Sequence, residues 1–510
     1  MFSTSVIRSS NLLKSSSRLY TTASTATASS SPSLSSKSIY DLLRRKRDRS
    51  GLINIQAEQD SEVTTFPRER SGLDYELNWT LNGYSITPYN QAYRNPREKL
   101  LLQNSVGTKD KNNVLTVVNS ESANTTNYYL DESVSQLNSN SSTISIPNYK
   151  AILELVKDNI SEGDNIYVRD AAVGSDKGKE STIRAVTNDS VSALFLNHLL
   201  PNTNVGSTKN FKHSLTVYLT PKFVLSNPEK YGLKSSSFNI IDVKRGIAVI
   251  SGNQSTENIR NVISAISSNT LMKTYQDTLP LPTSTIYSAN EKTVLAFDSE
   301  NYLLNNKFSG KVVSQGSIWS VDSGLTRLFD SITYSQSDLA VNQCDLVEKV
   351  GKKVNATIPI KFTTNVYQQP NAVVFFVNDK VLPSFAQLNV DQAEKYFVTG
   401  FTGENNFYPF YSFNTQSTTP AQDKAALFKK LISVGTNVYI INTNSLKPAD
   451  VDKLLTAMVN GKVNKASQSD VFTTLSPISS SKSTYTEQVK SSIKEFETKL
   501  EKNFEKLTKL

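Results

Sequence analysis

Between Tyr149 and Gly252 the chain alternates one long apolar-periodic segment with a series of short apolar runs, and few folds accept that order. YKAILELVKDNI (149–160) reads as a helix with one buried face. NIYVRD (165–170), TIRAV (182–186), SLTVYL (214–219), FNIID (238–242) and AVISG (248–252) follow at short intervals and read as strands. Further strands are expected at EKTVLAF (291–297), KVVSQ (311–315), ATIPIKF (356–362) and AVVFFVND (372–379). Helical patterns at VDQAEKYFVTGF (390–401) and KAALFKKLISVG (424–435) come between or after them. The fold class is therefore α/β, with mixed α+β lobes in which helices cover mixed sheets. No tandem repeat is present. At 510 residues the chain exceeds a usual single domain and implies two or three lobes, and 37% hydrophobic content is enough for a proper core.

The charge is unevenly placed. The chain carries +9 overall, but residues 1–50 hold nine Lys or Arg against Asp41 and Asp48, which gives that segment +7 and leaves the rest near +2. A basic surface for nucleic acid on the folded body is thus not expected. The leader MFSTSVIRSSNLLKSSSRLYTTASTATASSS has no acidic residue, spaced basic residues, many Ser and Thr, and an apolar set at Phe2, Val6, Ile7, Leu12 and Leu13. That is the composition of a mitochondrial transit peptide, so a matrix location is expected. Processing is expected near residue 20, after Arg18-Leu19-Tyr20. No run of eighteen apolar residues suggests a transmembrane helix. RRKRDR (44–49) reads as a solvated linker or as an arm for anionic lipid or RNA, so peripheral contact with the inner membrane stays open.

The stretch NIYVRDAAVGSDKGKESTIRAVTNDSVSALFLNHLLP (165–201) resembles a block of the ATP-dependent phosphoenolpyruvate carboxykinases, of the form VxDxxxGxDPxxRxxVRVxxxxAxxALFxxNMLIRP. Val168, Asp170, Gly174, Asp176, Arg184, Ala193, Leu194, Phe195, Asn197 and Pro201 keep its spacing. Residues 358–403 resemble the family's YPIxYIP…LTPEQAxYxFxSGYT block. Weaker echoes stand at 247–260, 287–290, 317–325 and 438–444, so the resemblance covers about residues 75–505 in family order. It implies a two-lobed carboxykinase-like fold, and a family activity in which ATP, with Mg2+ and Mn2+, drives decarboxylation and phosphorylation of oxaloacetate in gluconeogenesis.

The groups that this activity needs are missing at the matching positions. Phosphoryl transfer depends on backbone amides, a lysine and metal ions around charged oxygens. Where the family has GLSGTGKTT after a strand, this chain has DSENYLLNNKFSG, and Asp298 and Glu300, flanking Ser299, put carboxylates where a nucleotide brings negative charge. Aligned on Trp319, the family's metal-binding acidic pair becomes Ser314 and Gln315. Its GTxYxGEMKK tyrosine and lysine become Ser255 and Asn261, and its metal-binding histidine falls near Ile286. GRSPxDK survives as SVGTKDK (105–111), keeping Lys109, Asp110 and Lys111 without the arginine, and a lysine does not reproduce a guanidinium fork. The arginine before YPI maps near Asn355, and GYTSKxAGTE has become GFTGENNFYP. Asp170, Arg184, Lys109 and Lys111 are the retained motif positions, as packing or salt links or as remnants of a site. No catalytic residue, metal ligand or cofactor is expected.

Other residues give little chemistry. Cys344 stands alone, which excludes an intrachain disulfide and gives no zinc pattern. His198 and His213 are the two histidines. The segment 71–102, with Trp79, is expected to pack the N-terminal lobe or wrap along the body, and the Ser/Asn-rich 119–147 reads as an exposed loop or insertion. At the C-terminus, Val489, Ile493, Phe496, Leu500, Phe504 and Leu507 share one helical face, for docking on the body or for a partner. The expected organisation is a transit peptide at 1–36, a basic linker at 37–70, a carboxykinase-like N-terminal lobe at 71–285, a degenerate nucleotide-binding and C-terminal lobe at 286–475, and a linker with an amphipathic helix at 476–510. The expected function is a non-catalytic matrix scaffold or assembly factor that binds protein partners. An active carboxykinase or a carboxylate or nucleotide sensor without turnover are the alternatives.

Overall fold

Strand propensity and period-two alternation organise the protein around two large mixed sheets. The computed structural model describes residues 69–71, 81–105, 108–109, 115–116, 125–130, 141–176, 178–202, 211–252, 256–287, 292–306, 312–330, 366–404, 406–413, 420–463, 471–478 and 486–508. The leader, the 44–49 cluster, Trp79, Lys111, Ser255, Cys344, Asn355 and the 356–362 run lie outside them. Among the described residues no helix is long and apolar enough to cross a membrane.

In chain order the first half contains β1 (Glu69–Ser71), β2 (Gln91–Arg94), α1 (Glu98–Asn104), β3 (Thr108–Lys109), β4 (Leu115–Thr116), β5 (Thr126–Leu130), β6 (Ser141–Ile144) and α2 (Ile146–Glu162). There follow β7 (Asn165–Val173), β8 (Ser181–Thr187), α3 (Ser190–Leu199), β9 (Leu215–Thr220), β10 (Phe238–Asp242), β11 (Ile247–Ser251) and α4 (Thr256–Thr274). All these strands except the β3–β4 pair form one nine-stranded sheet in the order β1-β2-β7-β8-β9-β11-β10-β5-β6. Alternate residues explain its two covers. Ile166, Val168, Val186, Tyr218, Ile240 and Val249 face α2 through Ile152, Val156 and Ile160. Tyr167, Ala171, Ile183, Ala185, Val217 and Ile250 face α3 and α4 through Leu194, Phe195, Val262 and Ile266. Asp189 starts α3 by accepting the Ser192 amide at 2.8 Å, the bond expected of an N-cap.

The reading of 119–147 as an exposed loop is overturned where the structure describes it. Thr126–Leu130 is a strand of the sheet, Tyr128 and Tyr129 are fully buried, and Ser141–Ile144 pairs beside it in parallel. The polar residues around TNYYL mask a short apolar run whose aromatic rings fill the core.

The second half contains β12 (Thr278–Tyr287), β13 (Thr293–Phe297), α5 (Tyr302–Asn305), β14 (Val312–Ser320), β15 (Gly324–Arg327), β16 (Val366–Tyr367), β17 (Ala372–Val377), β18 (Phe385–Leu388) and α6 (Val390–Thr399). It ends with β19 (Phe401–Gly403), β20 (Asn406–Phe407), α7 (Ala421–Ile432), β21 (Asn437–Asn442), α8 (Pro448–Asn460), β22 (Ser476–Pro477) and α9 (Glu487–Thr508). The second nine-stranded sheet runs β16-β15-β14-β12-β13-β17-β21-β18-β22. Val294, Ala296, Val374, Phe376 and Ile441 meet α8 on one face, while Leu295, Phe297, Phe375 and Ile440 meet α6, α7 and α9 on the other. The apolar face of α9 lies against this body: Ile493, Phe496 and Leu500 are buried, with Phe496 4.7 Å from the Phe401 ring. Two mixed sheets, each with helices on its faces, make the α/β two-lobed fold.

Candidate functional site

Four segments that the sequence marks as chemically altered converge on one cleft. It holds about 100 Å³ of reachable space between α4, the β12–β14 strands, the turn after β13 and residues 408–413. Arg260 and Asn261 come from α4, Thr283 and Ser284 from β12, Asp298 and Ser299 from the turn, and Gln315 from β14. Phe297, Phe410 and Phe413 supply its apolar wall. The hairpin β19–β20 brings Tyr408 to the cleft, and it requires Gly400: the backbone there has φ +63°, and a Cβ would collide with the Tyr408 carbonyl.

Asp298 determines what this cleft can hold. Its carboxylate accepts the Tyr302 and Leu303 amides, each at 2.8 Å, and so caps the turn of helix α5 that follows β13. Burial pushes its pKa up to about 6, with the Glu300 charge adding to the rise and the two amides opposing it. Because the folded-state pKa lies above the ordinary value of 3.8, the folded protein binds more protons between these values, and stability falls as pH rises through that window. Asp298→Asn keeps an amide acceptor and removes the charge. Urea titrations from pH 4 to 7 are expected to show a flatter stability profile for this variant than for the unaltered protein, whereas parallel profiles would show that Asp298 is not the group concerned.

Opposite it, Arg260 Nη1 donates to Gln315 Oε1 at 2.7 Å, and the Ser314 hydroxyl donates to the Gly316 carbonyl at 2.6 Å. Tyr408 OH and Ser412 Oγ lie 2.7 Å apart. Arg260, Gln315, Tyr408 and Ser412 thus find partners within the protein, the buried Thr283 Oγ1 has none among the described residues, and no histidine is among the lining residues. Among the described residues no three His, Cys, Asp or Glu side chains gather closely enough to hold a metal ion. Ile286 is buried in the core of the second sheet.

The retained Asp170 and Arg184 lie elsewhere, in the interior of the first lobe. Opposed across the β7–β8 ladder, they form a fork: Arg184 Nε to Asp170 Oδ1 and Nη2 to Oδ2, both at 2.7 Å. Arg94 Nε donates to Oδ2 from the other side at 2.8 Å, and the Asp170 amide donates to Asn95 Oδ1 at 2.8 Å. Arg184 Nη1 donates to Tyr84 OH at 2.9 Å, which stands 3.2 Å from His213 Nε2, and the guanidinium lies over the Tyr84 and Phe211 rings. Burial alone would lower the pKa of Arg184, but the hydrogen bonds and charge of Asp170 hold it above its ordinary value. Burial, helped by the Arg184 charge, lowers that of His213. Lys109 ends the two-residue strand β3, away in sequence from both groups. Arg94 and Tyr84 escaped the sequence reading. The available signal was a carboxylate in the middle of an apolar strand, which requires cationic partners on the flanking strands.

The comparisons with known proteins agree with the fold. The family model described as phosphoenolpyruvate carboxykinase matches residues 106–298. The ATP-dependent phosphoenolpyruvate carboxykinase of Flavobacterium johnsoniae is 23% identical over 360 residues, covering 59% of this chain and 67% of the relative. That of Christiangramia forsetii is 23% identical over 329 residues, with 55% and 61% covered, and that of Caldanaerobacter subterraneus is 24% identical over 278 residues, with 47% and 52% covered. Over these segments the chain is similar to the ATP-dependent phosphoenolpyruvate carboxykinases. It spans about half to two thirds of the length of these relatives.

Set against the carboxykinase requirement for ATP and divalent metal, the cleft does not fit. The Tyr302 and Leu303 amides that follow the nucleotide-loop strand already bond an internal carboxylate. Gln315 and Ser314, at the metal-binding acidic positions, offer no anionic oxygen and are engaged by Arg260 and Gly316. The reachable space is below the roughly 300–1,000 Å³ of ordinary small-molecule pockets. No chemical step through a nucleotide or metal follows from these residues.

Proposed function

We propose that the protein is a non-catalytic member of the carboxykinase family that works in the mitochondrial matrix as a scaffold or assembly factor. The observation that carries this reading is the Asp298 carboxylate bound to the amides of its own turn, where a phosphate-binding loop would leave amides for the ligand. The basic, Ser- and Thr-rich leader supports the location. A protein partner that met α9 would meet its charged side, with Lys490, Lys494 and Lys502 alternating with Glu487 and Glu495, because the apolar side is taken by the body.

Two measurements test the reading. Residues 1–36 fused to a fluorescent protein are expected to direct it to mitochondria, and a cytosolic signal would overturn the location. Oxaloacetate decarboxylation with ATP, Mg2+ and Mn2+ is expected to stay at the uncatalysed rate, and turnover above it would overturn the non-catalytic role.

A further inference from the structure

A second cavity lies apart from the cleft around Asp298. A trough of about 830 Å³ lies between the turn joining β10 to β11, the C-terminal end of α4 and the start of α7. It shares no lining residue with that cleft. Its volume falls within the roughly 300–1,000 Å³ of ligand pockets.

Its walls are of two kinds. Val243, Met272 and Leu427 are half-buried and packed against the cores, so each shows the trough an apolar flank. Lys244 and Lys273 stand exposed on its rim and make no ion pair among the described residues. Arg245 is engaged by Asp242 at 2.8 Å and adds field rather than a vacant fork. Asp423, in the first turn of α7, is the single acidic side chain of the lining. Two unpaired ammonium groups over an apolar floor select an anion that carries an apolar body. A bare inorganic anion gains nothing from the floor, and a neutral apolar molecule gains nothing from the lysines.

We propose that this trough is a binding site for a small amphiphilic anion of the aryl or acyl phosphate class, with its apolar body on Val243, Met272 and Leu427 and its charged head between Lys244 and Lys273. The protein supplies its own reporter, because it contains only three methionines: Met1, Met272 and Met458. Met272 lines the trough and Met458 lines a different cleft.

The test is to label the methionine methyl groups of the full chain with carbon-13 and titrate with phenyl phosphate, with inorganic phosphate and phenol as comparators. The Met272 methyl resonance, assigned by Met272→Leu, is expected to shift saturably with phenyl phosphate while that of Met458 stays fixed. Each comparator is expected to bind at least about tenfold more weakly, and Lys244→Ala/Lys273→Ala to weaken phenyl phosphate by about tenfold or more. Both lysines are exposed, so the double variant keeps the fold. No shift at Met272 up to millimolar ligand, an equal shift at Met458, or an unchanged affinity in the double variant would each overturn the proposal.

Discussion

Asp170→Ala is expected to destabilise the protein by about 3–5 kcal/mol, the range for removing one partner of a buried ionic network. Asp170 is 1% exposed, and its carboxylate is the shared acceptor of Arg94, 3% exposed, and Arg184, which is fully buried. Alanine leaves two guanidinium groups inside the first lobe with no anion between them. The rings of Tyr84 and Phe211 over Arg184 offset little of that cost. Asp170→Asn preserves shape and one acceptor and is expected to fall between the two. Urea denaturation followed by circular dichroism measures the difference, and loss of soluble protein for the alanine variant alone would be the same effect at its limit. A change below about 1 kcal/mol would mean that the network contributes no more than a surface pair.

The second large effect has the opposite sign. Lys424 lies in the first turn of α7, 4% exposed, where the positive end of the helix dipole also opposes a cation. Its Nζ is 4.6 Å from the centre of the Tyr411 ring, and no carboxylate pairs with it among the described residues. Burial pushes its pKa from the ordinary 10.5 to about 7. The folded state therefore binds fewer protons than the unfolded chain between these values, and stability rises with pH across that window. Below pH 7 the whole penalty is present, on the order of 5 kcal/mol from about 1.4 kcal/mol per pKa unit. Lys424→Met keeps the length and removes the charge. After the lost contact with Tyr411 it is expected to stabilise the protein by about 2–4 kcal/mol at pH 7, falling below about 1 kcal/mol near pH 10. Chemical denaturation at pH 6.5, 8 and 9.5 distinguishes this from a gain independent of pH, which would place the stabilisation in packing.

Much of this molecule was legible in its sequence, for reasons that differ between elements. The strands around Val168, Val217 and Val249 stand out because sheets covered on both faces need nearly continuous apolar runs. Asp189 and Asn389, which escaped the sequence reading, start helices by accepting the amides three residues on. The α9 face was readable because one stripe of the helix is buried and the remainder is charged. Thr126–Leu130 was hidden because five residues between polar stretches give too little periodicity, and only the long-range pairing of Tyr128 with Ile240 shows that its rings belong to the core. The cleft was legible as a set of losses at Asn261, Ser314, Gln315 and the turn after β13. What replaced them was not, since the bond of Arg260 to Gln315 joins residues fifty-five positions apart. The sequence suggested that Asp298 repels a nucleotide. The fold shows a more local role, in which its carboxylate occupies the Tyr302 and Leu303 amides itself.

The central claim is that the cleft around Asp298 is closed upon itself, and calorimetric titration of the full chain with ATP in the presence of Mn2+ tests it most directly. The account predicts no saturable heat at ligand concentrations that would fill a working carboxykinase. Saturable binding that is lost on mutating Arg260 or Gln315 would contradict it, because the nucleotide would then occupy the space that these side chains and Asp298 close.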